Sequence, residues 1–427
     1  MTSEVFVYLT LPGATSPVTA GRFELASSAH GGSVGRFVYG RRYLARADAV
    51  PIDPIELKLE ARVFQTARLS GMFGALRDAS PDYWGRRVIE KRAGKANLSE
   101  LDYLLDSPDD RAGALGFGLN VDPPAPLRTF NRTMDLTRLQ ELADLIAADE
   151  ELPGKTAADP ADLTQVHDLL LMGTAMGGAR PKAVVEDQQA LWIAKFNRRD
   201  DRWNNARVEH VMLMLARECG LSVSQSRLTQ IADRDALLVR RFDRQHAPTG
   251  YRRARMLSAL TLLRAEDTYQ DRERWSYVVL AEELRRISTQ PRADAAELFR
   301  RMVFNALISN LDDHPRNHAM IATDQAWALS PAYDLTPTIA VSLERRDLAM
   351  RCGDHGRYAN AENLLSQCER FLLSREDATR IIDHMETVVN NRWYELARRE
   401  GVTEQDCQRI SAAFAHAGFR LPLAARE

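Results

Sequence analysis

The chain has 427 residues, 45% hydrophobic and 27% charged, with a net charge of −2. That length suits two or three domains or one large two-lobed unit, and no stretch approaches the roughly 18 uncharged apolar residues of a membrane span. The near-neutral charge gives no support to a wholly basic nucleic-acid binder, and four scattered cysteines (219, 352, 368, 407) form no CxxC pair or disulfide framework.

From the N-terminus, MTSEVFVYLTLPG has no basic region leading into an apolar stretch, so no signal peptide is expected. Val5–Leu9 and Gly35–Tyr39 alternate between Gly and Ser clusters and predict strands. Residues 81–104 take helical spacing, and Gly113–Gly118 returns to a strand. The three prolines within Val121–Pro126 mark a connector. An amphipathic helix follows over 136–150, with a second break at Leu152–Pro160. A helix carrying Leu163, Val166 and Leu169–Met172 is predicted to end at Gly173. A Gly-rich turn comes next, then a β-pair (Ala183–Val185 and Ala190–Phe196), a helix over 206–219, and strands near 226–231 and 236–242. Beyond about 256 the pattern is mainly helical, broken by short strands near 318–322 and 326–329. The expected division is 1–125, 126–245 and 246–427.

The basic residues are almost all arginine. Lysine occurs only at 58, 91, 95, 155, 182 and 195, so each lysine hints at a position where a compact ammonium matters. Lys195 lies in the apolar strand Ala190-Leu-Trp-Ile-Ala-Lys-Phe196, where a cation is costly without an anionic partner. Glu209, at the start of the next helix, is the natural partner and Glu218 the weaker one. An edge-strand lysine pointing to water remains the bland alternative. Ahead of it, Gly173-Thr-Ala-Met-Gly-Gly-Ala-Arg-Pro-Lys182 is neither a Walker A motif nor GxGxxG. It is a flexible backbone able to lay N–H groups on phosphates.

The strongest constellation is Ser309-Asn-Leu-Asp-Asp-His-Pro-Arg-Asn317 followed by Leu329-Ser-Pro-Ala-Tyr-Asp334. Phosphoryl transfer to a hydroxyl needs a carboxylate at the hydroxyl, oxygen ligands for the metal and a cation on the phosphates. Asp312 and Asn317 have the Asp-x-x-x-x-Asn spacing of a kinase catalytic loop, and Asp334 follows after two strand-like segments. Oxygen donors of this kind suit Mg²⁺. Taken alone, the Asp312 loop reads more readily as an Asx-rich turn that ends a helix, and only its company with the other elements changes that.

Six ordered motifs together resemble the HipA family: Gly177-Gly-Ala-Arg-Pro-Lys182, Ala194-Lys-Phe196, Val208-Glu-His210 with Leu215-Ala216 and Gly220-Leu221, Val239-Arg-Arg-Phe-Asp-Arg244, Asn310–Asn317 and Leu329–Leu335. The N-terminal stretches Gly71-Met-Phe-Gly-Ala-Leu-Arg-Asp78 and Pro81-Asp-Tyr-Trp-Gly-Arg86 resemble the small domain of such proteins. The resemblance implies an α+β, two-lobed, eukaryote-like protein kinase fold, with an N-terminal mixed α/β subdomain and a mainly helical C-terminal lobe. It implies ATP and Mg²⁺, with Asp312 as catalytic base, Asn317 and Asp334 as metal ligands, and Lys195 with Glu209 on the phosphates. Gly177, Gly178 and Lys182 would line the nucleotide, and His314 would support the loop or a phosphate. The backbone near Arg240–Phe242 would be the adenine hinge, although the Phe242 ring reads equally well as core.

The resemblance further implies a cytoplasmic serine/threonine kinase toxin. Its substrate would be a translation component such as an aminoacyl-tRNA synthetase, and the outcome growth arrest. A HipB-like helix-turn-helix antitoxin would restrain it and supply the only link to DNA. Members often carry an autophosphorylated serine just before the Gly-rich loop; here that position is Ala175, with Thr174 beside it. Two other readings stand: a degenerate kinase fold acting as a DNA-bound co-repressor, and a small-molecule kinase.

Overall fold

The computed structural model describes residues 4–27, 32–96, 98–126, 130–132, 135–147, 180–339, 342 and 344–423. The segment holding the expected helix at 161–173, and with it Thr174, Gly177 and Gly178, lies outside the described residues.

Strands β1 (Glu4–Thr10), β2 (Pro17–Ser27), β3 (Ser33–Tyr39), β4 (Val63–Thr66) and β5 (Leu115–Gly118) form one antiparallel sheet in the order β4-β3-β2-β1-β5. One face is apolar, with Phe23, Phe37 and Phe64 buried together with Tyr39. The short helix α1 (Gly74–Asp78) leaves this sheet and presses on the C-terminal half. A Cβ at Gly74 would come within 2.4 Å of the Thr261 side chain, so glycine permits the approach. That contact brings the Asp78 carboxylate to Ser258 and Thr261, whose hydroxyls each donate to it at 2.7 Å.

Helices α2 (Tyr83–Ala93), α3 (Glu100–Asp106) and α4 (Leu136–Ala147) cover the second sheet. The α3 N-terminus has a capping box in which Ser99 and Asp102 satisfy each other's backbone N–H. The sheet itself orders β6 (Asn131–Arg132), β7 (Lys182–Asp187), β8 (Ala190–Phe196), β10 (Arg234–Arg240) and β9 (Ser226–Ile231). The β7–β8 turn has positive φ at both Gln188 and Gln189, the type I′ geometry that matches strand twist. Strand alternation then sorts the two faces. Ala183, Val185, Ala194, Phe196, Ala236 and Leu238 pack with Trp84, Val88 and Leu139 on the outer side. The inner face carries Lys182, Val184, Ile193, Lys195, Leu237 and Val239, as the pairing registers require. Helix α5 (Asn205–Glu218), capped by the Asn204 side chain, packs against β10 and β9.

Strands β11 (Arg244–Ala247) and β12 (Gly250–Arg253) form a hairpin. Strand β13 (Arg255–Ser258) opens a three-stranded sheet with β14 (Ala319–Ala322) and β15 (Ala328–Leu329). The rest of the C-terminal half is helical. Helices α6 (Tyr277–Ile287), α7 (Pro291–Leu307), α8 (Arg375–Arg399) and α9 (Glu404–Phe414) surround a core that includes Phe299, Met302, Phe371 and Ile382. Among the described residues no helix is long and apolar enough to cross a membrane. All four cysteines are buried free thiols.

Candidate active site

The inner face of the second sheet, the β13–β15 sheet and the end of α1 with the segment that follows it enclose a cleft of about 1010 Å³, counted to its open mouth. Ala112, Ile193, Val239, Phe242 and Met256 give it apolar walls. Lys182, Lys195, Arg316, Asn317 and Asp334 converge at one end, and Asp78, Ser80 and Asp82 line it from the N-terminal unit. An apolar cavity with a few convergent polar groups is the usual form of a small-molecule site.

Lys195 is the hub. Its Nζ donates to Glu209 Oε1 at 2.6 Å and to Asp334 Oδ1 at 2.8 Å. Asn204 starts α5 such that Glu209 falls on the helix face buried with Val208 and Met212. Glu218 lies elsewhere, paired with Arg392. Burial works against the ammonium, but Asp334 and Glu209 outweigh it and hold Lys195 protonated. Lys195 likewise overrides burial at Asp334 and keeps that carboxyl at about 2, whereas burial lifts Glu209 above the usual range. Asp334 has φ 61°, a left-handed backbone rare for a non-glycine residue.

The loop after α7 carries the other carboxylates. Asp312 is exposed, within electrostatic reach of Asp334. Partial desolvation on its protein side, reinforced by Asp334, raises its carboxyl above the ordinary range. Asp313 points inward. It accepts from Asn305 Nδ2 at 2.7 Å and from the Tyr277 hydroxyl, and meets His318 Nε2 at 2.7 Å. A short 3₁₀ turn, Pro315–Asn317, closes the loop. In it the Asn317 N–H donates to the His314 carbonyl at 2.9 Å, and Asn317 Nδ2 reaches the Asp312 carbonyl at 3.5 Å. His314 is half-buried, within electrostatic reach of Asp312 and Asp334, and its Nδ1 has no hydrogen-bond partner among the described residues. The β14–β15 hairpin then separates Asn317 from Asp334 in sequence while returning both to the cleft.

At the other end, the Arg241 N–H donates to the Leu191 carbonyl at 2.9 Å, tying the end of β10 to β8. Arg240 is exposed and donates to Gln225. The Phe242 ring is half-buried in the cleft wall, 5.6 Å from the Tyr333 ring. Arg241 and Arg244 are fully buried and share Asp110 and Asp243. The arginine run at 240–244 therefore contains internal ion pairs instead of a solvated face.

The structure thus brings together Lys182, Lys195, Glu209, Phe242, Asn317 and Asp334, with Arg240 in the cleft lining and Asp312 and His314 within electrostatic reach of Asp334. Sequence reasoning passed over Asp313, which anchors the loop, and Asp82, which meets Lys182 at 2.7 Å. Asp82 belongs to the Pro81–Arg86 motif, so a signal existed; its partner, 100 residues away, was not visible.

Residues 174–393 fit the HipA-like C-terminal domain. Two proteins of Sinorhizobium fredii are similar over shorter stretches. "Putative kinase Y4mE" is 29% identical over 149 residues, 34% of this chain and 35% of its own length. "Putative kinase Y4dM" is 54% identical over 48 residues, 11% of this chain and 12% of its own. The chain therefore aligns with about a third or less of each curated relative. In solved structures, HipA of Shewanella oneidensis MR-1, determined with HipB and its operator DNA, matches 96% of both chains with a TM-score of 0.67 at 16% identity, which shows a shared α+β, kinase-like fold. The chain belongs to the HipA-like C-terminal domain family.

Proposed function

We propose that this chain is an ATP- and Mg²⁺-dependent protein kinase of the HipA toxin type, transferring the γ-phosphate to a serine or threonine hydroxyl of a protein. One observation carries the reading. A single cleft lysine, Lys195, bridges Glu209 and Asp334, and the exposed carboxylate of Asp312 lies within electrostatic reach of Asp334. Phosphoryl transfer asks little covalent chemistry of the protein and relies on positioning and charge.

The apolar walls at Ala112, Ile193, Val239 and Met256 suit an adenine ring, with the Arg240–Phe242 backbone as its hinge. Lys195, and Lys182 opposite it, hold the phosphates. Asp312 accepts the proton from the substrate hydroxyl oxygen, and His314 steadies the loop between Asp312 and Asn317. The donor set fits Mg²⁺: Asn317 and Asp334 offer hard oxygen ligands. Mg²⁺ usually completes its shell with phosphate and water. When bound, the metal neutralises developing charge on the transferred group.

The family resemblance extends the reading to a cytoplasmic toxin whose target is a translation component such as an aminoacyl-tRNA synthetase. A HipB-like helix-turn-helix antitoxin neutralises it and provides its indirect link to DNA. The units 1–125, 126–245 and 246–427 are the N-terminal subdomain, N-lobe and C-lobe of this scheme; the family's autophosphorylated position falls on Ala175, and Thr174 beside it is the candidate substitute.

The test is transfer of radiolabelled γ-phosphate in cell lysate with Mg²⁺, comparing wild type with Asp312→Ala. A discrete protein band labelled by the wild type alone supports the proposal and identifies the target. Label on a metabolite makes the chain a small-molecule kinase. ATP binding without transfer, together with salt-steep affinity for DNA in the absence of any antitoxin, makes it a co-repressor.

A further inference from the structure

Lys182 and Lys195 are direct cross-strand neighbours in the β7–β8 pair. Like charges in that relationship destabilise a sheet, and each ammonium here has its own counter-ion. Lys195 takes Glu209 and Asp334. Lys182, 2% exposed, takes Asp82, with Nζ to Oδ2 at 2.7 Å.

Asp82 does not belong to the sheet or to the catalytic loops. It is the N-cap of α2, where its Oδ1 accepts from the Gly85 N–H at 2.7 Å. One oxygen therefore orients the carboxylate on the N-terminal unit while the other reaches the lysine. Both residues line the cleft, and the Lys182 charge is felt at Asp334. The arrangement is rigid at both ends, since the cap fixes Asp82 and the strand register fixes Lys182.

We propose that Asp82 is a positioning residue of the cleft: it holds the Lys182 ammonium at the phosphate end, beside Lys195, so that the N-terminal unit sets the affinity for the phosphates of a nucleotide. This rests on the reading of the cleft as a nucleotide site. Without the Asp82 carboxylate, the repulsion between Lys182 and Lys195 loses its offset, and the Lys182 ammonium no longer stands as firmly beside Lys195 and Arg316 at the phosphate end. Asp82 acts through Lys182 and touches no reacting atom.

The test is a double-mutant cycle on the full chain: wild type, Asp82→Asn, Lys182→Gln and the double variant. Binding of Mg·ADP is measured by calorimetry, and KM for ATP and kcat by phosphate transfer. Asparagine caps a helix as well as aspartate, so Asp82→Asn keeps the cap and removes only the charge. The expected result is about ten-fold weaker Mg·ADP binding in each single variant, with the double variant no weaker than Lys182→Gln alone. KM for ATP rises in parallel while kcat stays near the wild-type value, the pattern of lost uniform binding. If Asp82→Asn is too unstable to purify, the comparison of Lys182→Gln with the double variant, which replaces the ion pair by two amides, still decides. Wild-type affinity in Asp82→Asn or in Lys182→Gln, or a double variant that multiplies the two losses, overturns the proposal. A wild type that binds no Mg·ADP overturns the nucleotide reading itself, and with it this inference.

Discussion

Asp312 and Asp313 are adjacent in sequence and opposite in environment: the first is exposed to solvent, the second is 1% exposed and bound by Asn305, Tyr277 and His318. The two Asp→Asn variants should therefore fail in different ways. Asp312→Asn keeps the fold within about 0.5 kcal/mol, as surface substitutions do, and abolishes phosphate transfer. Asp313→Asn leaves a buried amide where three donors expect a carboxylate, which costs about 3–5 kcal/mol by the usual penalty for breaking a buried charged network. Urea denaturation of both proteins, read beside the transfer assay, checks the pair. Equal stability losses would remove the division of labour.

The pH dependence follows from Asp312 and Asp334, the proposed base and metal ligand. Partial desolvation raises Asp312 above the ordinary carboxylate range, and a base works only when ionised. kcat/KM should rise with pH through that raised value. Asp334, held at about 2 by Lys195, is ionised throughout and adds no limb above about pH 4. The stability signs are opposite. What Asp334 contributes is present above its unfolded value of about 3.9 and is lost as pH falls toward 2. Asp312, with a raised folded value, favours the folded state at acid pH and ceases to do so as pH climbs through that value. A rate profile measured from about pH 4 to 8 that stays flat would exclude Asp312 as the base.

Replacement of Lys195 by Met tests the hub. The change removes the cation that faces both Glu209 and Asp334, and two carboxylates left together disfavour joint ionisation. kcat/KM should fall by about 10²-fold or more, the usual scale for deleting one preorganised charge stabiliser. Glu209→Gln keeps a hydrogen-bond acceptor for Lys195 and should cost less, about ten-fold. Steady-state transfer kinetics on both variants check the order, and a fully active Lys195→Met would sink the assignment.

What the sequence disclosed depended on how local the signal was. Strands β1, β3, β7 and β8 were legible because their apolar positions alternate or run together within a few residues. The β11–β13 region was not. Its arginines, Arg244, Arg252, Arg253 and Arg255, read as a solvated face or as internal ion pairs, and only long-range partners decide between the two. Arg253 meets Asp109, and Arg244 meets Asp110, both more than 130 residues away. The catalytic-loop residues stood out through Asp-x-x-x-x-Asn spacing and a downstream aspartate. Asp82 and Asp313 did not, because their roles come from what packs beside them. Lysine scarcity was the most productive compositional clue, since Lys182 and Lys195 proved to be in register on one face of one sheet.

The same logic makes a prediction for the Arg241–Asp243 centre. Arg241 donates through Nε and Nη2 to the two oxygens of Asp243 at 3.0 and 2.9 Å, and through Nη1 to Asp110 at 2.5 Å. Arg244 adds a 2.8 Å bond to Asp243, and the Gly113 N–H another at 2.9 Å. The centre thus clamps residues 110–113 of the N-terminal unit to the segment that forms the wall at Phe242. Burial alone would raise the Asp243 carboxyl; Arg241 and Arg244 outweigh it and hold it well below the usual range. Its stabilisation is therefore complete above the unfolded value of about 3.9 and drains away as pH falls through the lower folded value. Asp243→Ala strands two buried guanidinium groups and should cost about 3–5 kcal/mol near neutral pH. The difference from wild type should shrink in strong acid, where the wild-type carboxylate is itself protonated. Denaturant midpoints at neutral and acid pH measure both quantities. A loss near neutral pH below about 1 kcal/mol would place the centre among ordinary surface ion pairs, and the clamp on the cleft wall would have to be sought elsewhere.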